Sequence, residues 1–150
     1  MQLVIRQAES EDRDRIVLFN QAMARETEGR ELDRRVLTKG VERVLKDVGL
    51  GRYFVAVRDE EVIGQVLITT EWSDWRNGQV WWLQSVYVSK RYRREGVYRR
   101  LHEHVRESAR TEKVIGLRLY VERDNLAAQA TYVDLGMDAS PYLMFEEMWA

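Results

Sequence analysis

The stretch Ser85–Leu101, SVYVSKRYRREGVYRRL, decides the fold of this 150-residue chain. Its first part alternates apolar residues, which predicts a β-strand, and after Gly96 the apolar residues recur every four positions, which predicts a helix. Six of the eleven residues from Lys90 to Arg100 are Lys or Arg, although the net charge of the chain is only −1. The sequence therefore places a strongly basic turn between a strand and a helix.

Composition predicts one soluble globular domain over residues 1–150, since a chain of this length can bury a sizeable core. The pI near 6.2 argues against a dedicated nucleic-acid-binding protein. There is no cysteine, which excludes disulfides and thiolate catalysis. The two histidines, His102 and His104, are too few and too close together for a metal site of their own, so we expect no metal.

Nothing in the sequence indicates export or membrane insertion. The N-terminus, MQLVIRQAES, lacks the apolar core of a signal peptide. No apolar run approaches the ~18 residues of a membrane span. We therefore expect a cytoplasmic protein.

Apolar spacing and turn residues predict the order of the other elements. These are a strand at Leu3 and Ile5, a helix capped by Ser10, a helix from Val36 to Leu45, three strands at Tyr53–Val57, Val62–Thr70 and Val80–Val88, the helix after Gly96, a strand at Gly116–Glu122, a helix capped by Asp124 or Asn125 and closed by Gly136, and a final strand in residues 142–149. Hairpins come first and a β-α-β-α-β run follows. This order predicts an α+β fold with a parallel strand pair late in the chain.

The basic turn has the features of a phosphate site. A helix N-terminus exposes unpaired N–H groups and the positive end of the peptide dipole. Gly96 lets an anion approach the backbone closely, and Arg93 and Arg94 add forked donors suited to phosphate oxygens. The turn matches neither the Walker motif nor the dinucleotide fingerprint. A pyrophosphate cradle, a solvated basic corner and a polyanion site all stay open on these residues alone.

Two motifs in this part of the chain resemble those of the GCN5-related N-acetyltransferase (GNAT) superfamily. In that family an apolar-x-apolar pair ends a strand, and Arg/Gln-x-x-Gly-x-Gly/Ala then opens a helix. Here the pair is Val86 and Val88, and the turn is Arg93–Tyr98. The later stretch VERDNLAAQATYVDLGM is similar to the family's following motif, with matches at Asn125, Ala128, Tyr132, Gly136 and Met137. The resemblance covers the whole chain.

The resemblance implies the GNAT fold, a mixed and mostly antiparallel sheet with a splayed parallel strand pair, flanked by about four helices. It implies acetyl-CoA as cosubstrate, with its pantetheine arm on the backbone of Val86 and Val88 as an added strand. The pyrophosphate would bind the backbone N–H groups of the turn, which are those of Arg93, Arg94, Glu95, Gly96, Val97 and Tyr98.

Two residues after the turn have roles implied by the same resemblance. Asn125 would contact the pantetheine or cysteamine region, and Tyr132 would be the general acid that protonates the leaving thiolate. On their residue types alone, Asn125 is equally a helix N-cap and Tyr132 equally a core aromatic.

The chain departs from the family pattern at two points. Tyr98 stands where Gly or Ala is usual, so its ring must point away from the phosphates or stack beside them. The strand before the turn has no Asp, Glu or His from Gln79 to Val88 to serve as general base. Candidates elsewhere are Glu26, Glu28, Glu71, Asp74 and Glu122, and an amine that arrives neutral needs none.

Four of the five tryptophans, Trp72, Trp75, Trp81 and Trp82, cluster near the expected acceptor side. They suit a planar or cationic acceptor, or a sheet core in which Trp81 and Trp82 face opposite sides. The acidic residues Glu26, Glu28 and Glu31 could attract a cation or simply be solvated. His104 is expected to be a partly buried structural residue.

The function expected from these features is acetyl-CoA-dependent N-acetyl transfer to the primary amine of a small acceptor, in the enzyme class of acyltransferases that move groups other than aminoacyl groups. The alternative is an acyl-CoA-binding sensor without turnover. The expected partners are acetyl-CoA and the amine, without nucleic acid or membrane. The usual assembly of proteins in the family implies a homodimer.

Overall fold

The computed structural model describes residues 2–150 and divides the chain into two compact units, residues 1–120 and 121–150. The first unit contains β1 (Leu3–Gln7), a 3-10 turn (Ser10–Asp12), α1 (Arg13–Glu28), α2 (Arg34–Lys46), β2 (Arg52–Arg58), β3 (Glu61–Ser73), β4 (Gly78–Val88), a second 3-10 turn (Lys90–Tyr92), α3 (Val97–Thr111) and β5 (Gly116–Arg118). The second unit contains α4 (Leu126–Asp134).

The sheet of the first unit has the order β1-β2-β3-β4-β5. The first four strands pair antiparallel, and β5 pairs with β4 in parallel. The two hairpin turns form as their residues predict, with φ of 50° and 67° at Asp59 and Glu60 and 50° at Asn77. The predicted α+β fold with a mixed sheet is therefore confirmed.

Helices cover both faces of this sheet. On one face, α3 buries Val97, Leu101, Val105 and Ala109, the four residues whose spacing predicted the helix, in a core that includes Trp81. On the other face, a smaller cluster joins Ile16 and Val17 of α1 to Val41 of α2 and Tyr53 of β2. Both faces of the sheet are thus covered by helices. A ligand site is therefore expected at strand ends and helix N-termini.

Three local predictions were wrong or too long. Ser10 is not the cap of α1, because it lies inside the 3-10 turn, where the Glu9 N–H donates to an Asp12 carboxylate oxygen at 2.7 Å. The strand predicted at Gly116–Glu122 stops at Arg118.

The final strand predicted in residues 142–149 does not form. A strand-like sequence becomes a strand only when a neighbouring strand satisfies its backbone groups, so the pattern of residues 142–149 is not sufficient by itself.

Candidate functional site

The backbone of Arg93–Tyr98, at the start of α3, forms an open concave site, called the cup below. Arg94 and Gly96 have left-handed φ values of 66° and 80°, whereas Glu95 between them does not. When left-handed residues alternate with others in this way, successive backbone N–H groups point toward one position. The first amide bonded within the helix is that of Arg100, which donates to the Gly96 carbonyl at 3.1 Å. A Cβ on Gly96 would meet no atom within 4 Å. The cup therefore offers amide donors and space for an anion.

The ion pairs around this cup leave it with a net positive charge. The Glu95 carboxylate binds Arg58 of β2 at 2.8 Å, so the acid within the turn is neutralised. Arg93 turns elsewhere, because its Nε donates to the Val88 carbonyl at 2.8 Å and its other end reaches Glu26 at 2.7 Å. The side chain of Arg93 thus ties the turn to β4 and α1.

Tyr98, the departure from the family pattern, lies along α3. Its hydroxyl hydrogen-bonds Nδ1 of His102 at 3.0 Å, and its ring stands edge-on to the imidazole with centroids 5.6 Å apart. A helix brings residues four apart onto one face, which explains the pair. Because the ring is held there, the side chain does not fill the cup.

His102 is a buried residue that the sequence prediction missed. It is fully buried, and burial together with the neighbouring Arg106 lowers its pKa to about 4, so the imidazole is neutral at pH 7. The sequence signal that could have found it is the four-residue spacing from Tyr98 to His102, which places both on one face of α3. His104 packs edge-on against Phe54 at 5.1 Å, as a structural histidine would.

β4 carries a bulge close to the predicted cofactor residues. The pairing with β3 shifts between Gln84 and Tyr87, and Ser85 has a φ of 50°. A bulge re-aims the strand and frees backbone groups from the ladder. Val86 lies in this irregular part and Val88 ends the strand.

A buried polar network supports the bulge from the α1 side. The Gln65 amide donates to the Ser85 carbonyl at 3.0 Å and to Oδ1 of Asn20 at 3.1 Å. Asn20 in turn donates to the Tyr53 hydroxyl at 3.1 Å. Sequence reasoning missed this network because its members come from α1, β2, β3 and β4.

The free edge of β4 is the second element of the site. The parallel ladder with β5 covers only Val80–Trp82, so in the described part of the chain no strand borders residues 83–88 on that side. A strand edge of this length can accept an extended ligand by β-augmentation. The edge runs toward the cup, which begins a few residues after Val88.

Glu26 of α1 contacts the end of β4 and the turn that follows it. Its two carboxylate oxygens accept from the Tyr87 hydroxyl at 2.6 Å and from Arg93 at 2.7 Å. Burial alone would raise the pKa of Glu26, but these two donors outweigh it and hold the pKa below the ordinary value. Burial and the Glu26 acceptor raise the pKa of Tyr87 to about 12.

The other candidate acids are also engaged. Hydrogen bonds from Trp82 and Arg118 lower the pKa of Glu71. The remaining candidates contact near neighbours: Glu28 pairs with Arg30, Asp74 accepts from the Trp75 amide, and Glu122 accepts from the Asp124 amide.

The tryptophans divide between core and surface. Trp81 is buried under α3, and Trp82, on the opposite face, donates to Glu71 at 2.9 Å, so the predicted alternation is confirmed. Trp72 and Trp75 are exposed.

In the second unit, Asn125 caps α4, with its side-chain oxygen accepting from the Ala128 amide at 3.1 Å. Its predicted capping role is confirmed. Tyr132 follows seven residues later, two helical turns on, so both belong to one face of α4. Burial raises the pKa of the Tyr132 phenol.

Among residues 2–150 no helix is long and apolar enough to cross a membrane. The same residues contain no group of three or more His, Cys, Asp or Glu side chains placed to hold a metal ion.

The cup and the strand edge together fit coenzyme A. The open space at Gly96 suits a diphosphate at a helix N-terminus, and the free edge of β4 suits an extended, amide-containing chain such as pantetheine. Both features are what an extended ligand that carries a phosphate group needs.

The profile of the Acetyltransferase (GNAT) family matches residues 8–137, and the chain belongs to that family. The predicted GNAT fold is thereby confirmed. Members of the family take the acetyl group from acetyl-CoA. No protein with a curated description matches the chain.

Solved structures agree with the family. A possible acetyltransferase from Clostridium difficile 630 is 44% identical, with a TM-score of 0.92, and the match covers 100% of this chain and 99% of that one. A probable acetyltransferase is 24% identical, with a TM-score of 0.84 and the same coverage. AAC(6')-Iy, solved with the bisubstrate analogue CoA-S-monomethyl-acetylneamine, is 18% identical over the full length of both chains, with a TM-score of 0.78, which shows the shared fold.

Proposed function

We propose that the chain is an N-acetyltransferase that moves an acetyl group directly from acetyl-CoA to the primary amine of a small acceptor. The observation that carries the proposal is the cup at the start of α3, where left-handed Gly96 leaves open space beside the free edge of β4. Bound there, acetyl-CoA supplies an activated acetyl thioester. A cytoplasmic location stays a prediction.

In this proposal the backbone of the turn binds the cofactor. Amides from Arg94 to Tyr98 hold the diphosphate. The Arg93 amide contributes less, because it already donates to the Lys90 carbonyl at 3.3 Å. The backbone of Val86 and Val88 aligns the pantetheine arm, and the Gln65 network fixes the bulge that aims it.

The roles proposed for α4 concern the thioester end. Asn125 contacts the cysteamine region while it caps the helix. Tyr132 donates its proton to the sulfur as the nitrogen–carbon bond forms and the carbon–sulfur bond breaks. A raised pKa keeps the phenol protonated at neutral pH, as this role requires. The proton lost by the attacking nitrogen passes to water or back to the phenolate.

Two carboxylates in the described part of the chain contact β4 side chains, Glu26 at Tyr87 and Glu71 at Trp82. Glu26 and Glu71 have pKa values held below the ordinary range, so both are charged at pH 7 but are poor proton acceptors. We therefore propose that the acceptor reacts from its neutral form. Rates should then rise with pH along the titration of the acceptor amine itself.

The low basicity of Glu26 and Glu71 favours a second candidate, an acyl-CoA sensor without turnover. It uses the cup and the strand edge identically. It differs in that nothing acts on the bound thioester.

Incubation with acetyl-CoA and a panel of amines, with mass detection of products and measurement of released thiol, separates the two. The panel should include amino acids, polyamines, an aminoglycoside and a peptide with a free N-terminus. An acetylated amine formed with equivalent thiol release supports the transferase. Acetyl-CoA binding without any product across the panel supports the sensor, and failure to bind acetyl-CoA contradicts both.

A further inference from the structure

Glu71, Trp82 and Arg118 form a row of contacts across three neighbouring strands, called the ion-pair row below. β3, β4 and β5 lie side by side in the sheet, and each supplies one of these residues. Oε1 of Glu71 accepts from Nε1 of Trp82 at 2.9 Å and from the guanidinium of Arg118 at 2.8 Å. Successive strand residues face opposite sides, and Trp81 is buried under α3. The row therefore lies on the sheet face away from α3.

The ion-pair row lies where the parallel ladder of β4 and β5 ends. Trp82 pairs with Arg118 in the last described step of the ladder, and the free edge of β4 follows. In the proposed function the pantetheine arm runs from the cup along Val88 and Val86, so its thioester end points toward the row. Ser85 and Trp82 are three residues apart, which is roughly 10 Å at the rise of a β-strand. An acceptor that spans this distance can contact the row and the thioester together.

The ion-pair row keeps bonding capacity of both signs. Both donors reach the same oxygen of Glu71, so Oε2 can accept from a ligand. A guanidinium has five N–H donors, and the described hydrogen bond of Arg118 uses one. The side chains of Arg118 and Glu71 are 36% and 44% exposed, so a ligand can reach both. The hydrogen bonds from Trp82 and Arg118 lower the pKa of Glu71, so its carboxylate is charged at neutral pH.

The charges of the row favour a ligand that carries both signs. A lone cation is repelled by Arg118 and by Arg76, which also lies near Glu71. A lone anion is repelled by the Glu71 carboxylate. A group with an ammonium and a carboxylate places the first on Oε2 of Glu71 and the second on Arg118, and both contacts are charge-assisted hydrogen bonds. The rings of Trp82 and Tyr120, with centroids 6.3 Å apart, offer apolar surface to the hydrocarbon part of such a ligand.

We propose that the ion-pair row binds the head group of a free diamino acid, and that the amine acetylated is the one at the end of its side chain. This inference rests on the proposed function and names its acceptor class. The head-group ammonium is stabilised in its charged form by Glu71, so it does not attack. The side-chain amine reaches the thioester in its neutral form. It loses one proton as the nitrogen–carbon bond forms, and the sulfur takes up a proton as the carbon–sulfur bond breaks.

Thiol release with lysine, cadaverine and 6-aminohexanoate as acceptors tests the head group. Cadaverine lacks the carboxylate of lysine, and 6-aminohexanoate lacks its α-amine. We expect kcat/KM for lysine to exceed that for either analogue about 10- to 100-fold, the effect of one charge-assisted hydrogen bond, and mass spectrometry to find the acetyl group on the side-chain amine. Equal rates with either analogue, or acetylation of the α-amine, would overturn the proposal.

Two matched variants, Glu71→Gln and Glu112→Gln, test whether the preference comes from the row. Glu112 is a similarly exposed carboxylate that pairs with Arg52 at 3.0 Å, so its variant controls for the loss of a surface ion pair. Glu71→Gln should abolish the preference for lysine over 6-aminohexanoate, and Glu112→Gln should keep it. A preference that survives in Glu71→Gln would contradict the assignment.

Calorimetric titration of lysine into the protein with bound CoA separates this inference from the proposed function. Lysine binding that Glu71→Gln weakens, without thiol release from acetyl-CoA, would support the head-group site and contradict the transferase. Thiol release with other amines but no lysine binding would overturn the head-group site and leave the transferase intact. Neither lysine binding nor thiol release with any amine would overturn both.

Discussion

Replacing Gly96 with Ala tests the cup at the start of α3. Without ligand the cost is backbone strain, because φ is +80° and nothing lies within 4 Å of the new Cβ. That strain is about 1–2 kcal/mol for an L residue in the left-handed region. With acetyl-CoA bound, the methyl group occupies space that the diphosphate needs, and loss of one charge-assisted hydrogen bond costs ~1.5–3 kcal/mol more. Binding should weaken about 10- to 100-fold.

Gly29→Ala is the matched control. Gly29 ends α1 with φ of +62°, and a Cβ there also meets nothing within 4 Å. Both variants should lose similar stability in urea unfolding, since both carry the same kind of strain. Calorimetric titration with acetyl-CoA should find weaker binding only for Gly96→Ala. Equal affinities for the two variants would refute the placement of the diphosphate at this turn.

Three further predictions concern the proton donor, the buried histidine and the bulge. Tyr132→Phe should lower thiol release by roughly 10²-fold with little change in acetyl-CoA affinity, and unchanged turnover would remove the phenol from the mechanism. Because burial raises the pKa of this phenol, the alkaline loss of wild-type rate should lie at higher pH than an exposed tyrosine would give. The pKa of His102 falls from 6.5 to about 4 on folding, so the unfolded chain binds more protons between these values and the free energy of unfolding should drop by on the order of 3 kcal/mol as pH is lowered through them. His102→Gln should flatten this dependence in urea titrations relative to His104→Gln, and equal slopes would contradict it. Gln65→Leu leaves the Ser85 carbonyl without its donor, so it should cost ~1–3 kcal/mol of stability and raise KM for acetyl-CoA; an unchanged KM would show that the bulge is held by other contacts.

Local periodicity predicted most of the fold. The spacing of Val97, Leu101 and Val105 is enough to define α3, because a helix repeats its buried face every turn wherever it packs. The Gly96 turn was predictable for the same reason, since the end of a strand pattern and the start of a helix pattern meet there. Residue type predicted that Asp124 or Asn125 caps α4, and the structure assigns the cap to Asn125.

What the sequence did not reveal depends on residues distant along the chain. The ion pair of Arg93 with Glu26 joins residues 67 positions apart, and no local pattern connects them. The network of Gln65 with Asn20 likewise forms only when β3 packs under α1. The strand predicted in residues 142–149 does not form for a related reason. Its pattern is typical of a strand but does not specify the neighbouring strand that would pair with it.

A crystal structure of the chain with bound coenzyme A tests the central claim most directly. The account predicts diphosphate oxygens about 3 Å from the amides of Gly96 and Val97, with the pantetheine arm extended along Val86–Val88. A diphosphate bound at any other part of the molecule would contradict it.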